Sequence, residues 1–122
     1  MIYLVDDDEI QNLINTRVVG LVSQSVAVRT FSGGEAALKA LDTETSFPQL
    51  IFLDINMPKM NGWGFLDEFT KRDYPISIYM LSSSINSKDI EKSQTYKAVN
   101  GFISKPLVAE KLAEILKQEK II

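Results

Sequence analysis

The chain has 122 residues, 45% hydrophobic and 24% charged, with a formal net charge of −3. That is the make-up of one globular domain with its own hydrophobic core and no room for a second, so one domain over residues 1–122 is expected. Cysteine and histidine are absent and no basic cluster occurs, which excludes disulfides, thiolate and imidazole metal sites and histidine catalysis, argues against direct nucleic-acid binding, and restricts any metal to a hard cation held by oxygen.

The hydrophobic pattern alternates strand-like and helix-like stretches along the chain. The first apolar run stops after five residues at an acidic cluster, too short for a signal peptide or a membrane span, and the default location is the cytoplasm. This run, "IYLVD", is followed by "EIQNLINTRVVGLV", which places Ile10, Leu13, Ile14, Val18 and Leu21 at helical spacing. A weaker strand, "VAVRTF", is broken by Gly33 and Gly34, and "EAALKAL" continues as a helix of good formers. "LIFLDI" is the third strand, and a helix carrying Phe65, Leu66 and Phe69 begins near Gly62. "ISIYML" is the fourth, followed by serines and a polar helix, "SKDIEKSQTYKA". "VNGFIS" is the fifth strand, and "LVAEKLAEILKQ" closes with Leu112, Ile115 and Leu116 on one face. Repeated βα units imply a parallel sheet covered by helices on both faces, a three-layer α/β/α arrangement.

Ligands of such sheets bind beyond the carboxyl ends of the strands, so the residues at those ends matter most. The first strand runs into Asp6 and Asp7, the third into Asp54, the fourth into Ser82 or Ser83, and the fifth into Lys105-Pro106. Singly, each has an ordinary reading. The acids would cap a helix, Asp54 would form an Asx turn, the serines would be turn hydroxyls, and Lys105 would be solvated before a helix-starting proline. Those readings leave their convergence on one edge unexplained. Carboxylates crowded within a few ångströms ionise together only with a cation among them, and Mg²⁺, which keeps its waters and needs few carboxylates, fits. An aspartate beside that ion is a nucleophile toward a phosphoryl group, and a lysine and a hydroxyl on neighbouring strand ends hold the added oxygens.

In "LVDDDE", "LIFLDINMPKMNG", "MLSSS" and "GFISKPL", the chain resembles, over essentially its whole length, the receiver domains of two-component response regulators, such as those of chemotaxis. The resemblance implies a flavodoxin-like sheet of five strands in the order 2-1-3-4-5. It makes Asp54 the phosphoacceptor, Asp7 the more direct Mg²⁺ ligand, Asp6 a ligand largely through water, and Asn56 a ligand through its backbone carbonyl. Ser82, which directly follows "IYML", takes the switch hydroxyl position, with Ser83 at a comparable spacing. Lys105 pairs with the acceptor and then with the phosphoryl group, across a bond to Pro106 that is often cis in similar proteins. Phe102 matches the aromatic switch, without the hydroxyl a tyrosine would bring, and a plain core role is its alternative. Asn56 and Ser84 stand where similar proteins tune phosphoryl lifetime. Trp63 is read as a packing residue anchoring the loop after Asp54, and as a fluorescence reporter of metal binding.

The implied partners are a sensor histidine kinase or histidine phosphotransfer protein as donor and a downstream protein as target. Neither nucleic acid nor membrane is contacted directly, and dimerisation on phosphorylation is common in similar proteins. The surface expected to change comprises the fourth helix, fifth strand and fifth helix. Two rival readings are a phosphorylation-independent docking module, disfavoured by the intact acid, hydroxyl and lysine set, and a small Mg²⁺-dependent phosphohydrolase, disfavoured by the lack of a substrate-binding insertion.

Overall fold

The computed structural model describes residues 1–83 and 86–122; Ser84 lies outside them. The elements follow the order β1 (Ile2–Val5), α1 (Glu9–Val22), β2 (Val28–Phe31), α2 (Gly34–Thr43), β3 (Leu50–Asp54), α3 (Gly62–Thr70), β4 (Ser77–Ser82), α4 (Ser87–Ser93), β5 (Val99–Ser104) and α5 (Ala109–Gln118). All neighbouring strands are parallel, in the order β2-β1-β3-β4-β5 expected from the sequence. Among the described residues, no helix is long and apolar enough to cross a membrane.

The three central strands are apolar on both faces because each face meets helices. Tyr3, Val5, Ile51, Leu53, Ile78 and Met80 point into one core with Ala37, Leu41, Phe65, Leu66 and Phe69 from α2 and α3. Their alternates Ile2, Leu4, Leu50, Phe52, Tyr79 and Leu81 point into the other, with Val19 of α1 and Leu112, Ile115 and Leu116 of α5. The period-2 alternation of side chains thus divides one sheet between two cores.

α1 departs from what its apolar spacing suggests. Ile10 is 69% exposed and Leu21 79%, and Leu13 and Ile14 are exposed as well, whereas Asn12, Asn15 and Val19 are buried. Ile10, Leu13, Ile14 and Leu21 face out and the amides face the sheet, while Val18 of the expected stripe packs with Val19 and Val22 on the core. The reason is local: Asp8 caps the helix by accepting from Ile10 N and Gln11 N, and Asn12 Nδ2 donates to the carbonyls of Asp6 and Phe31 at 2.9 and 3.3 Å. Backbone carbonyls at the end of a sheet need partners, and they fix the rotation of the helix.

α4 is also shorter than its sequence suggests, ending at Ser93 rather than Ala98. Hydroxyls compete for the carbonyls of the last turn: Ser93 Oγ donates to Ile90 O at 2.7 Å and Thr95 Oγ1 to Lys92 O at 2.6 Å. The backbone tightens there to i−3 bonds, from Thr95 N to Lys92 O and from Tyr96 N to Ser93 O.

At the edge opposite the strand carboxyl ends, Glu119 just beyond α5 joins β4 and β5. Its carboxylate accepts from Ser77 Oγ at 2.5 Å, Tyr79 OH at 2.9 Å and Asn100 Nδ2 at 3.2 Å. Gly101 makes room for the Tyr79 ring, which would lie 2.7 Å from any Cβ placed there. Burial alone would raise the Glu119 carboxyl, but the bonds from Ser77, Tyr79 and Asn100 outweigh it and hold its pKa below the ordinary value. A carboxylate with a lowered folded pKa stabilises the fold above its unfolded value and loses that contribution as the pH falls through the folded one. Glu119→Gln is therefore expected to lower stability at pH 7 by about 1 kcal/mol. In urea melts across pH the difference should shrink as the pH drops below the ordinary glutamate value of 4.5.

Candidate functional site

The acid run after β1 divides its labour. Asp8 is the N-cap of α1 and Glu9 sits in its first turn, where negative charge meets the helix dipole. Asp6 is instead buried, and its Oδ1 accepts from Asp8 N at 2.9 Å, which folds the loop back on itself. Asp7 is exposed beside it. Asp54 is the last residue of β3 and only 5% exposed. One carboxylate oxygen from each of Asp6, Asp7 and Asp54 lies within 4.8 Å of the others.

Lys105 reaches this cluster from just past β5, 99 residues away in sequence from Asp6. Its Nζ stands 2.9 Å from Asp6 Oδ2 and 3.1 Å from Asp54 Oδ1. Its backbone N–H donates to Ser82 O at 2.8 Å, and its bond to Pro106 is cis. Burial pushes the Asp54 carboxyl up, the Asp6 charge adds to that, and Lys105 offsets only part, leaving the pKa above the ordinary aspartate value. Burial pulls the Lys105 ammonium down, but its hydrogen bond to Asp6 and the charges of Asp54 and Asp6 outweigh it, so its pKa is raised. One ammonium therefore does not neutralise the carboxylates around it. A hard divalent cation suits the remainder, because its preferred ligands are carboxylate oxygens. Asp6, Asp7 and Asp54 fit Mg²⁺ by the chemistry of the donor set.

Ser82 ends β4 and is 2% exposed, paired in register with Ser104, whereas Ser83 is exposed. Phe102 lies opposite Met80 in the sheet and packs, half-buried, on the α2–α3 side core. Asn56 is exposed two residues beyond Asp54. The loop between them and α3 turns through Lys59, which adopts a φ of 65°, and closes with Gly62 N donating to Ile55 O at 2.8 Å. A Cβ on Gly62 would stand 2.9 Å from the Asp54 carbonyl oxygen, so only glycine lets α3 begin this close to β3.

Residues 2–117 match a family model for the response regulator receiver domain. The chain belongs to that family. Among relatives of this receiver domain, the probable C4-dicarboxylate response regulator DctR of Bacillus subtilis is 26% identical over 119 residues, with 98% of this chain and 51% of the relative covered. A two-component response regulator from Cytophaga hutchinsonii superposes with a TM-score of 0.89 at 30% identity, covering 99% of this chain and 96% of that one. The phosphorylated cyanobacterial phytochrome response regulator RcpA superposes with a TM-score of 0.78 at 31% identity, over 96% of this chain and 88% of that one. The receiver domain spans about half the length of curated relatives such as DctR and NarL of Escherichia coli, of which it covers 51% and 53%.

Trp63 lies not in the loop but in the first turn of α3, where it stacks on Tyr96 with ring centroids 6.2 Å apart. Lys92 of α4 holds its ammonium 4.8 Å from the Trp63 ring centroid, and Tyr96 OH donates to Asp67 at 2.6 Å. The tryptophan of this receiver thus ties α3 to the end of α4. Asn12, which secures the Asp6 carbonyl, was not singled out by the sequence motifs; its signal is an amide at a helix position where the neighbouring spacing is apolar.

The raised pKa of Asp54 has a measurable consequence. A carboxyl whose folded pKa exceeds its unfolded value destabilises the fold once the pH rises past both, and is neutral in both states at low pH. Without divalent cation, Asp54→Asn is expected to stabilise the receiver at pH 7 by on the order of 1 kcal/mol. Thermal melts should show that gain disappearing below the ordinary aspartate value of 3.8.

Proposed function

We propose that this chain is the phosphoacceptor receiver of a two-component phosphorelay, acting in the cytoplasm, with Asp54 taking a phosphoryl group from a partner phosphohistidine. The observation that carries the reading is the convergence of Asp6, Asp7 and Asp54 within 4.8 Å, with Lys105 Nζ bonded to two of them. The similarity to a response regulator solved in phosphorylated form, RcpA, supports it.

Asp54 is the nucleophile. One of its carboxylate oxygens forms a bond to phosphorus as the P–N bond to the donor imidazole breaks, and the imidazole leaves with the electron pair of that bond. The product is an aspartyl phosphate, later hydrolysed by water to Asp54 and inorganic phosphate. Bound Mg²⁺, held by Asp6, Asp7, Asp54 and the Asn56 carbonyl, supplies electrostatic stabilisation of the transferring oxygens. Asp6 is fixed for that task by Asp8 N and Lys105. Lys105 exchanges its bond to the Asp54 carboxylate for one to the phosphoryl oxygens. Ser82, buried at the adjacent strand end, turns its hydroxyl toward the same oxygens, and Phe102 moves into the space vacated. The output surface is then α4, β5 and α5, presented to a downstream protein or to a second copy of the chain.

The donor, a sensor histidine kinase or a histidine phosphotransfer protein, docks on the exposed face of α1. Ile10, Leu13 and Ile14 lie there within the first turns after the acid loop. Burying each against a partner is worth roughly 1.5–3 kcal/mol, and a contiguous exposed apolar patch of this kind marks an interaction site. Leu13→Glu is expected to slow transfer from a histidine-phosphorylated donor protein by on the order of ten-fold or more and to leave reaction with acetyl phosphate unchanged.

Intact mass after incubation with acetyl phosphate tests the chemistry. One phosphoryl group should appear with Mg²⁺, not without it, and not in Asp54→Asn. Lys105→Met should still accept the group while losing most of the accompanying Trp63 fluorescence change. If neither acetyl phosphate nor beryllofluoride, a stable phosphoryl mimic, changes the protein, the reading gives way to a docking module that works without phosphorylation.

A further inference from the structure

We propose that Asn12 is a positioning residue for the Asp6–Asp7 pair, setting the geometry in which the two carboxylates meet a divalent cation. The inference rests on the reading above that this pair holds Mg²⁺. Over its first turns, a helix that turned Ile10, Leu13 and Ile14 inward would bury more apolar surface than one that turns in Asn12 and Asn15; Val18, Val19 and Val22 reach the core further along. α1 adopts the second arrangement, so its amides supply something the apolar side chains cannot.

Asn12 is 5% exposed, and its Nδ2 donates to the carbonyl oxygens of Asp6, at 2.9 Å, and Phe31, at 3.3 Å. The N–H of Asp6 also donates to Phe31 O, at 3.1 Å. Asp6 is therefore gripped through the peptide on each side of its Cα. Its carbonyl belongs to the peptide that leads into Asp7, and a peptide unit is planar. Fixing that oxygen fixes the plane from which Asp7 departs. Asp7 itself is exposed and starts from this plane, so the Asn12 bond governs where its carboxylate stands relative to Asp6 and Asp54.

The other end of the same amide argues against a purely packing role. Asn12 Oδ1 is buried and accepts no hydrogen bond among the described residues. A buried acceptor left unpaired is unfavourable, and an apolar side chain of the same shape avoids it. The position tolerates that penalty while both hydrogens of the amino group serve the ends of β1 and β2. Groups that orient metal ligands from behind in this way act on affinity through the ligand, without touching the ion.

Mg²⁺ titration of Asn12→Leu, an apolar side chain of similar size, tests the role, with Val19→Ala as a control that removes buried apolar surface from the same helix. Binding is followed by Trp63 fluorescence and independently by the Mg²⁺-dependent rise in unfolding temperature. Asn12→Leu is expected to bind Mg²⁺ about ten-fold more weakly while folded. With acetyl phosphate its apparent KM for Mg²⁺ should rise by the same factor, and its rate at saturating Mg²⁺ should approach that of the unchanged protein. Val19→Ala should lower the unfolding temperature with Mg²⁺ affinity unchanged. Where Asn12→Leu does not fold, Asn12→Ala carries the same comparison at a temperature below its transition. Affinity within about two-fold of the unchanged protein, in whichever Asn12 variant folds, overturns the positioning role and leaves a packing residue. No Mg²⁺ response in the unchanged protein overturns instead the cation reading on which this role depends.

Discussion

Crowding of like charge at the carboxyl edge of the sheet is the constraint around which this receiver is arranged. Asp6 and Asp54 are buried next to each other, with Asp7 beside them, and the ammonium of Lys105 enters the cluster among the described residues. Burial and mutual repulsion raise Asp54 against the pull of the lysine. A cluster in this condition has unused capacity for positive charge. The same excess of negative charge suits the edge to a hard cation.

The surrounding structure holds these groups by short backbone devices. Gly62 allows α3 to start against β3, Asp8 caps α1 just behind the acid pair, and Asn12 closes the ends of β1 and β2. The main-chain bond from Lys105 N to Ser82 O joins β5 to β4 at the strand end from which the Lys105 ammonium reaches the acid cluster. Each device trades local convenience for placement: a residue without a Cβ, a helix whose first turns lie apolar side out, an amide whose oxygen accepts no bond among the described residues.

Away from the acid edge, α4 and α5 are held by different means. α4 spans Ser87–Ser93 with Ser93 as its buried residue, and its C-terminal end is tied to α3 through Trp63, Tyr96, Lys92 and Asp67. Glu119, by contrast, binds α5 to both β4 and β5 with three side-chain donors. Among the described residues, α5 is thus anchored to the sheet by a carboxylate and α4 to α3 by ring and cation contacts.

The order of the elements, the doubly wound sheet and the residues at each strand end were legible in the sequence. Their signals are local: an apolar run long enough for a buried strand, a turn, a helical period, and a polar residue where the run stops. β5 and α1 begin and end where the pattern put them, at Val99–Ser104 and Glu9–Val22. Which face of α1 meets the sheet was not legible. Helical spacing identifies an apolar stripe but not what lies opposite it, and here the carbonyls of Asp6 and Phe31 claimed Asn12 and turned most of the stripe to solvent. The end of α4 depended likewise on serine and threonine hydroxyls competing for the last carbonyls, and the place of Trp63 on a partner ring from another element. Most of all, the closeness of Lys105 to Asp6 and Asp54 is a tertiary fact. The sequence assigned each to a strand end, and only the parallel pairing of β1, β3, β4 and β5, with a register shift between Ile78 and Tyr79 against β5, brings ends so far apart in the chain within hydrogen-bonding distance.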